Sequence, residues 1–167
     1  MAKPKAPAAD ADVVVVGPGP AGLALAVALA QEGLRTTLVG EVRTARDGRT
    51  VALLDASIRL LDAIGAWHGL QMQAAPMAHM RLVDATDNLF RPPPVTFNAG
   101  EIGLDAFGYN IENATLVAGL AALADKTEGL ARVAASATGF TAGRDLAEVR
   151  LDDGRTLRAP LVVAADG

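Results

Sequence analysis

The sequence predicts an α/β fold, a doubly wound parallel sheet with an added antiparallel hairpin or meander, and three observations predict it. Asp12 to Val16 is a short β-branched run closed by Gly-Pro-Gly, the pattern of a strand buried on both faces. An Ala/Leu-rich stretch follows at once, and a second β-branched run, Thr36 to Val39, comes after it. Strand, helix and strand thus fill about thirty residues in the order of a βαβ unit. Further along, Asp152-Asp153-Gly154 separates two alternating runs, the strongest short hairpin signal in the chain.

A chain of 167 residues is long enough for one domain with a real hydrophobic core. Its aromatic content is only 4%, so that core must rest on Ala, Val and Leu. The net charge of −4, with arginines scattered along the chain, argues against nucleic acid as a partner. There is no cysteine, which excludes disulfides, thiolate metal ligands, Cys-x-x-Cys redox chemistry and a cysteine nucleophile. Val13 to Ala30 is apolar enough to resemble a membrane span, but Gly17, Pro18, Gly19, Pro20 and Gly22 break it into a strand, a turn and a shorter helix. Lys3 and Lys5 are followed by Pro, Ala and Asp rather than an apolar stretch, so the start does not read as a signal peptide.

In chain order, residues 1–11 are rich in Ala, Pro and Lys and read as a flexible tail, with residues 12–167 forming the folded domain. Pro20 suits the first turn of a helix running to about Glu32, and Gly33 suits its left-handed stop. That helix is apolar on every face, as a helix packed closely on a sheet should be. Thr50 to Ile64 reads as an amphipathic helix stopped by Gly65. Met80 to Val83 reads as a strand, Arg91-Pro-Pro-Pro94 as a stiff connection, and Glu112 to Lys126 as a second Ala/Leu-rich helix. Leu130–Ala134, Ala147–Leu151, Arg155–Ala159 and Leu161–Ala165 complete the strands. The last of these reads as a buried parallel strand with no crossover after it, which points to a truncated domain.

Gly17-Pro18-Gly19-Pro20-Ala21-Gly22 satisfies G-x-G-x-x-G in the context that gives the pattern meaning, after a strand and opening a helix. Gly17 permits the tight turn, Gly19 lets the backbone approach a pyrophosphate, and Gly22 lets helix and strand pack closely. The helix start offers unpaired N–H groups and the positive end of a dipole. Such folds place an acid near the end of the second strand, about 20 residues on, against the ribose hydroxyls. Glu41 lies 19 residues after Gly22. A solvated loop carboxylate is the plain alternative. Arg43, Arg46 and Arg49 point instead to a 2′-phosphate and so to NADP, whereas a carboxylate favours the unphosphorylated ribose of FAD or NAD.

Residues 12–65, with GPGPAGLALAVALAQEGL and then DGRTVALLDASIRLLDAIGAW, resemble the FAD-dependent aromatic hydroxylases, in particular the ubiquinone-biosynthesis group. GYNIENATLVAGLAAL and PLVVAADG continue the resemblance in the family's order. The resemblance implies a Rossmann-like FAD/NAD(P)-binding fold, FAD as cofactor and NAD(P)H as co-substrate. It implies a flavin monooxygenase that hydroxylates an aromatic small molecule, a polyprenylated phenol, in a cytoplasmic protein peripheral to the inner membrane face. It implies that Arg49 approaches the FAD pyrophosphate with Thr50 opening a helix beside it, that Asn110 lies near the ribityl chain, and that Asp166-Gly167 shapes the cofactor region. Taken alone, Arg49 would be a surface arginine and Asp166-Gly167 a turn after a strand.

Two features depart from the family's pattern. Its acid normally stands where this chain has Gly40, one residue before Glu41. Its later Gly-Asp motif and most of its substrate region lie outside these 167 residues, so the chain alone is expected to be inactive. No side chain is assigned as catalytic and none as a metal ligand; the resemblance sets no oligomeric state. His68 and His79 read as isolated structural or surface residues, Trp67 as a packing residue, and Ser57 and Ser136 lack a nucleophile elbow. A short-chain dehydrogenase fails because Tyr109 has Asn113, not Lys, four residues on. An NAD(P)-dependent oxidoreductase domain, and a nucleotide-binding module with no catalysis of its own, stand as alternatives.

Overall fold

The computed structural model describes residues 8–45, 48–87 and 89–167. In chain order they form β1 (Val13–Val16), α1 (Pro20–Gln31), β2 (Thr36–Val39), β3 (Thr50–Leu54), α2 (Asp55–Ala63) and α3 (Trp67–Leu70). Next come β4 (Ala75–Pro76), β5 (His79–Leu82), β6 (Val95–Asn98), β7 (Gly108–Glu112) and α4 (Asn113–Ala124). The chain continues through β8 (Leu130–Val133), β9 (Ala137–Thr141), β10 (Ala147–Leu151), β11 (Thr156–Ala159) and β12 (Leu161–Ala164). These elements fall into two compact units, one of Met1–Arg46 with Leu116–Gly167 and the other of Asp47–Thr115.

The first unit is built on a four-stranded parallel sheet in the order β12-β1-β2-β8. Val13 pairs with Leu161 on one side and with Thr36 on the other, and Thr36 in turn with Leu130. The central strands are short and β-branched because both faces are covered. On one face lies α1, where only Ala21 and Gln31 are exposed. On the other lies an antiparallel meander in the order β11-β10-β9. Val14 and Val39 of the sheet pack there with Ala135, Val149, Leu151 and Ala159. The β10–β11 hairpin turns through Asp153-Gly154, with Gly154 at φ +87°, as the Asp-Gly signal requires. The doubly wound sheet with its added meander is thus present.

β12 differs from the expected buried strand. It is an edge strand, and Leu161 is 52% exposed. At the other end, the Asp10 and Ala11 N–H groups both donate to the Arg158 carbonyl, at 2.8 and 3.4 Å, and Ala11 is buried. Residues 1–7 of the expected tail lie outside the described residues.

The second unit holds the sheet β3-β7-β4 and the two-stranded ribbon β5-β6. Here the expected helix from Thr50 to Ile64 is corrected: Thr50–Leu54 is a strand antiparallel to β7, and the helix begins at Asp55. Thr50 and Val51 are β-branched, and pairing with Gly108–Glu112 overrides the helical spacing of the leucines. Trp67 is buried edge-on against Tyr109, with centroids 5.2 Å apart and the rings at 67°. Met80–Val83 is shifted by one residue to β5.

Candidate functional site

The Gly17–Gly22 loop crosses the C-terminal ends of the parallel strands. Gly17 sits at φ +110°, and its N–H donates to the Val39 carbonyl at 2.9 Å, tying the loop to the end of β2. A Cβ at Gly17 would stand 2.4 Å from the Ala165 carbonyl oxygen and 2.6 Å from the Asp166 nitrogen. A Cβ at Gly22 would stand 1.8 Å from the Gly17 carbonyl oxygen. Both glycines are therefore required by the fold itself, for the turn and for the approach of α1. Gly19 differs: a Cβ there would meet nothing within 4 Å. None of the described residues fills that space, and a ligand's phosphates can.

The start of α1 is left open in the same way. Gly19 is the N-cap with φ −71° and ψ 178° and supplies no side-chain hydrogen bond. Pro20 has no N–H to leave unsatisfied, and no acid lies in the first turn. The Leu23 N–H donates to the Gly19 carbonyl at 2.9 Å. The N–H groups of Ala21 and Gly22 precede any intrahelical acceptor and carry the positive end of the dipole. An anion is the complementary ligand, so these residues fit a pyrophosphate.

Asp166 and Gly167 follow β12 directly beside this loop. The Ala165 N–H donates to the Val16 carbonyl at 2.7 Å, which extends the β1–β12 pairing to the loop's edge. Asp166 is exposed and Gly167 has φ +92°. A cavity of about 430 Å³ lies between the meander and the β1–β12 edge of the sheet, lined by Val16, Phe140, Val149, Val162 and Asp166 among others. Glu41 is exposed at the end of β2, and Arg43 is exposed two residues on. Arg46 lies outside the described residues, as does Asp47 of the Asp-Gly-Arg-Thr motif.

Arg49, Thr50 and Asn110 belong to the other unit, where one small sheet brings them together. The Arg49 carbonyl accepts from the Asn113 N–H at 2.9 Å, and Thr50 pairs with Glu112. Asn110 stands between Ala52 of β3 and Ala75 of β4. Thr50 opens a strand and not a helix, which corrects the role drawn from the resemblance: it is a sheet residue next to Arg49 and offers no helix start to a phosphate. Asn110 also lines a second cavity of about 430 Å³, with Leu54, Met77, His79 and Phe107.

Sequence reasoning missed two features. His79 is not isolated: its Nδ1 lies 2.7 Å from Asn98 Oδ1, and the Asn98 amide donates to Glu101 at 2.6 Å. The contact between Pro18 and Gly40, residues 22 apart, had no signal beyond the unexpected glycine at the end of β2. Among the described residues, no helix is long and apolar enough to cross a membrane.

Comparison with known proteins bears on what the loop holds. The family model described as "FAD binding domain" matches residues 10–167. The chain is 32% identical over 148 residues to 3-demethoxyubiquinol 3-hydroxylase of Escherichia coli, covering 83% of this chain and 37% of the relative. It is 34% identical over 146 residues to ubiquinone hydroxylase UbiL of Rhodospirillum rubrum, covering 83% of this chain and 33% of the relative. The chain thus spans roughly a third of the length of these relatives. Among solved structures it is similar to the flavin-dependent monooxygenase PieE, in complex with FAD and substrate, with a TM-score of 0.75 at 22% identity. That likeness covers 96% of this chain and 31% of the other. It is also similar to p-nitrophenol 4-monooxygenase PnpA of Pseudomonas putida, with a TM-score of 0.72 at 20% identity over 93% of this chain and 40% of the other. At such identities these two likenesses show the shared fold.

Proposed function

This chain belongs to the FAD-binding domain family, and on that premise we propose that it is the FAD-gripping portion of an NAD(P)H-dependent monooxygenase hydroxylating an aromatic ring, in a ubiquinone precursor. The observation that carries the reading is the uncapped, acid-free start of α1 behind a glycine whose missing side chain the protein does not need. The curated relatives support the substrate class by what they act on.

In this reading Gly17, Gly19, Pro20, Ala21 and Gly22 hold the pyrophosphate through backbone N–H groups, and Asp166-Gly167 bounds the same loop. Glu41 accepts from the adenosine ribose hydroxyls. Arg49, Thr50 and Asn110, within the second unit, are FAD contacts proposed on the family resemblance alone. Bound FAD supplies the electron transfer and oxygen chemistry, and NAD(P)H supplies the electrons. The chain's own residues grip and orient the cofactor, and no acid or base among them is needed for that work. A polyprenylated substrate would bring the protein against a membrane surface from the cytoplasmic side.

Equilibrium titration of the chain with FAD and, separately, with NADP tests the reading. FAD binding with a weak affinity is expected, since the chain spans only part of its relatives, and the purified chain should retain little flavin. Binding of NADP without any binding of FAD would overturn it. That outcome would favour an NAD(P)-dependent oxidoreductase domain, for which the exposed Arg43 beside Glu41 is the supporting observation.

A further inference from the structure

In dinucleotide-binding βαβ units the second strand ends near an acid that takes the ribose hydroxyls. Here the residue after β2 is Gly40, at φ +134°, a backbone conformation that side-chain-bearing residues avoid. Its N–H donates to the Val133 carbonyl at 2.9 Å, so it continues the ladder to β8. A Cβ on Gly40 would stand 2.3 Å from Pro18 Cδ and 2.8 Å from Pro18 Cγ. The proline ring of the phosphate loop therefore fills the space in which a side chain at position 40 would begin. On the adjoining side, the Gly17 N–H holds the loop to the Val39 carbonyl. That tie holds the residue before Pro18 against the end of β2.

We infer that Pro18 and Gly40 are a coupled, specificity-determining pair: the proline ring displaces any side chain from the end of β2 and delegates ribose recognition to Glu41. The inference rests on the FAD-binding reading and deepens it. Glu41, the residue directly after Gly40, is the carboxylate nearest in sequence to the end of β2. It is exposed, while Val42 after it is half-buried. A carboxylate accepts hydrogen bonds from the 2′- and 3′-hydroxyls and repels a 2′-phosphate. The pair thereby selects an unphosphorylated adenosine ribose, despite Arg43 nearby.

A double-mutant cycle on the whole chain tests this, reading both the melting midpoint and the FAD affinity by fluorescence titration. Gly40→Ala should lower the midpoint and weaken FAD binding by about tenfold or more, because a new methyl meets a fixed ring. In a Pro18→Ala background, which removes Cγ and Cδ but keeps Cβ, the same substitution should cost clearly less in both measurements. Glu41→Gln should leave the midpoint in place and weaken FAD by about tenfold, the worth of a hydrogen bond to a charged group. ADP should compete with FAD better than 2′-phospho-ADP, and that preference should vanish in Glu41→Gln. Equal costs of Gly40→Ala in the two backgrounds would overturn the coupling. Unchanged FAD affinity in Glu41→Gln would overturn the delegation. The expected coupling in the melting midpoints, together with no FAD binding by the wild-type chain, would sink the FAD reading and the ribose role together, leaving only the steric pair.

Discussion

A methyl group at residue 22 would lie 1.8 Å from a backbone oxygen that has nowhere to go, and one at residue 19 would lie in open space. The two glycines of one motif therefore make opposite predictions. Gly22→Ala should destabilise the fold by about 2 kcal/mol or more, in the range of overpacked substitutions, when followed by urea unfolding. Gly19→Ala should leave the unfolding curve nearly in place and reduce FAD affinity instead. Equal effects on stability would show that the loop distinguishes them less sharply than its geometry requires. Acid stability is also set by single residues. The Arg35 guanidinium and backbone N–H hold the Asp12 carboxyl below its ordinary value, and Arg155 does the same for Asp153. Carboxylates lowered in the folded state stabilise it above their unfolded value of about 3.9 and lose that contribution as pH falls through the folded value. Through these groups stability should therefore not vary with pH near neutrality, where their contribution is fully present, and should fall below about pH 4. Asp12→Asn should remove part of that fall in a pH series of melting curves.

At the scale of elements, the strand β3 makes the sharpest test. Leu53 is 6% exposed and its neighbour Leu54 is 57% exposed, as alternation along a strand demands. Leu53→Ala should cost about 2–4 kcal/mol and Leu54→Ala well under 1 kcal/mol, measured by chemical denaturation. The hairpin turn offers a second case. Gly154→Ala places a Cβ at φ +87° in otherwise open space and should cost about 1–2 kcal/mol. What could be read from residues alone follows from how local the determinants are. β1, α1 and β2 were legible because β-branched runs, Pro20 and Gly33 each fix their own neighbourhood. β3 was not, because its leucines fit a helix and only a partner strand 58 residues away makes it extended. β9 was not, because Gly139 interrupts its pattern and is covered by the Arg150 guanidinium of β10. In the site, the glycine loop was plain in sequence. The Pro18–Gly40 contact was not, since neither residue signals the other.

At the scale of the whole molecule, the parallel sheet joins the extremes of the described chain. β1 pairs with β12 across nearly 150 residues, and Asp10 is tied to Arg158 by hydrogen bonds in both directions, at 2.8 and 2.7 Å. Deleting residues 160–167 should leave β1 as an edge, expose Val13 to Val15, and abolish slow hydrogen exchange over residues 13–39. Persistent protection there would show that the βαβ unit stands without its fourth strand. The same pairing has a consequence in time. A ribosome adding roughly 5–20 residues per second needs on the order of ten seconds to pass from the glycine loop to Asp166. For that interval the nascent chain displays the loop without the wall that Ala165 and Asp166 give it. Whatever the loop holds in the cell, it closes around it only once the far end of the sheet has been made.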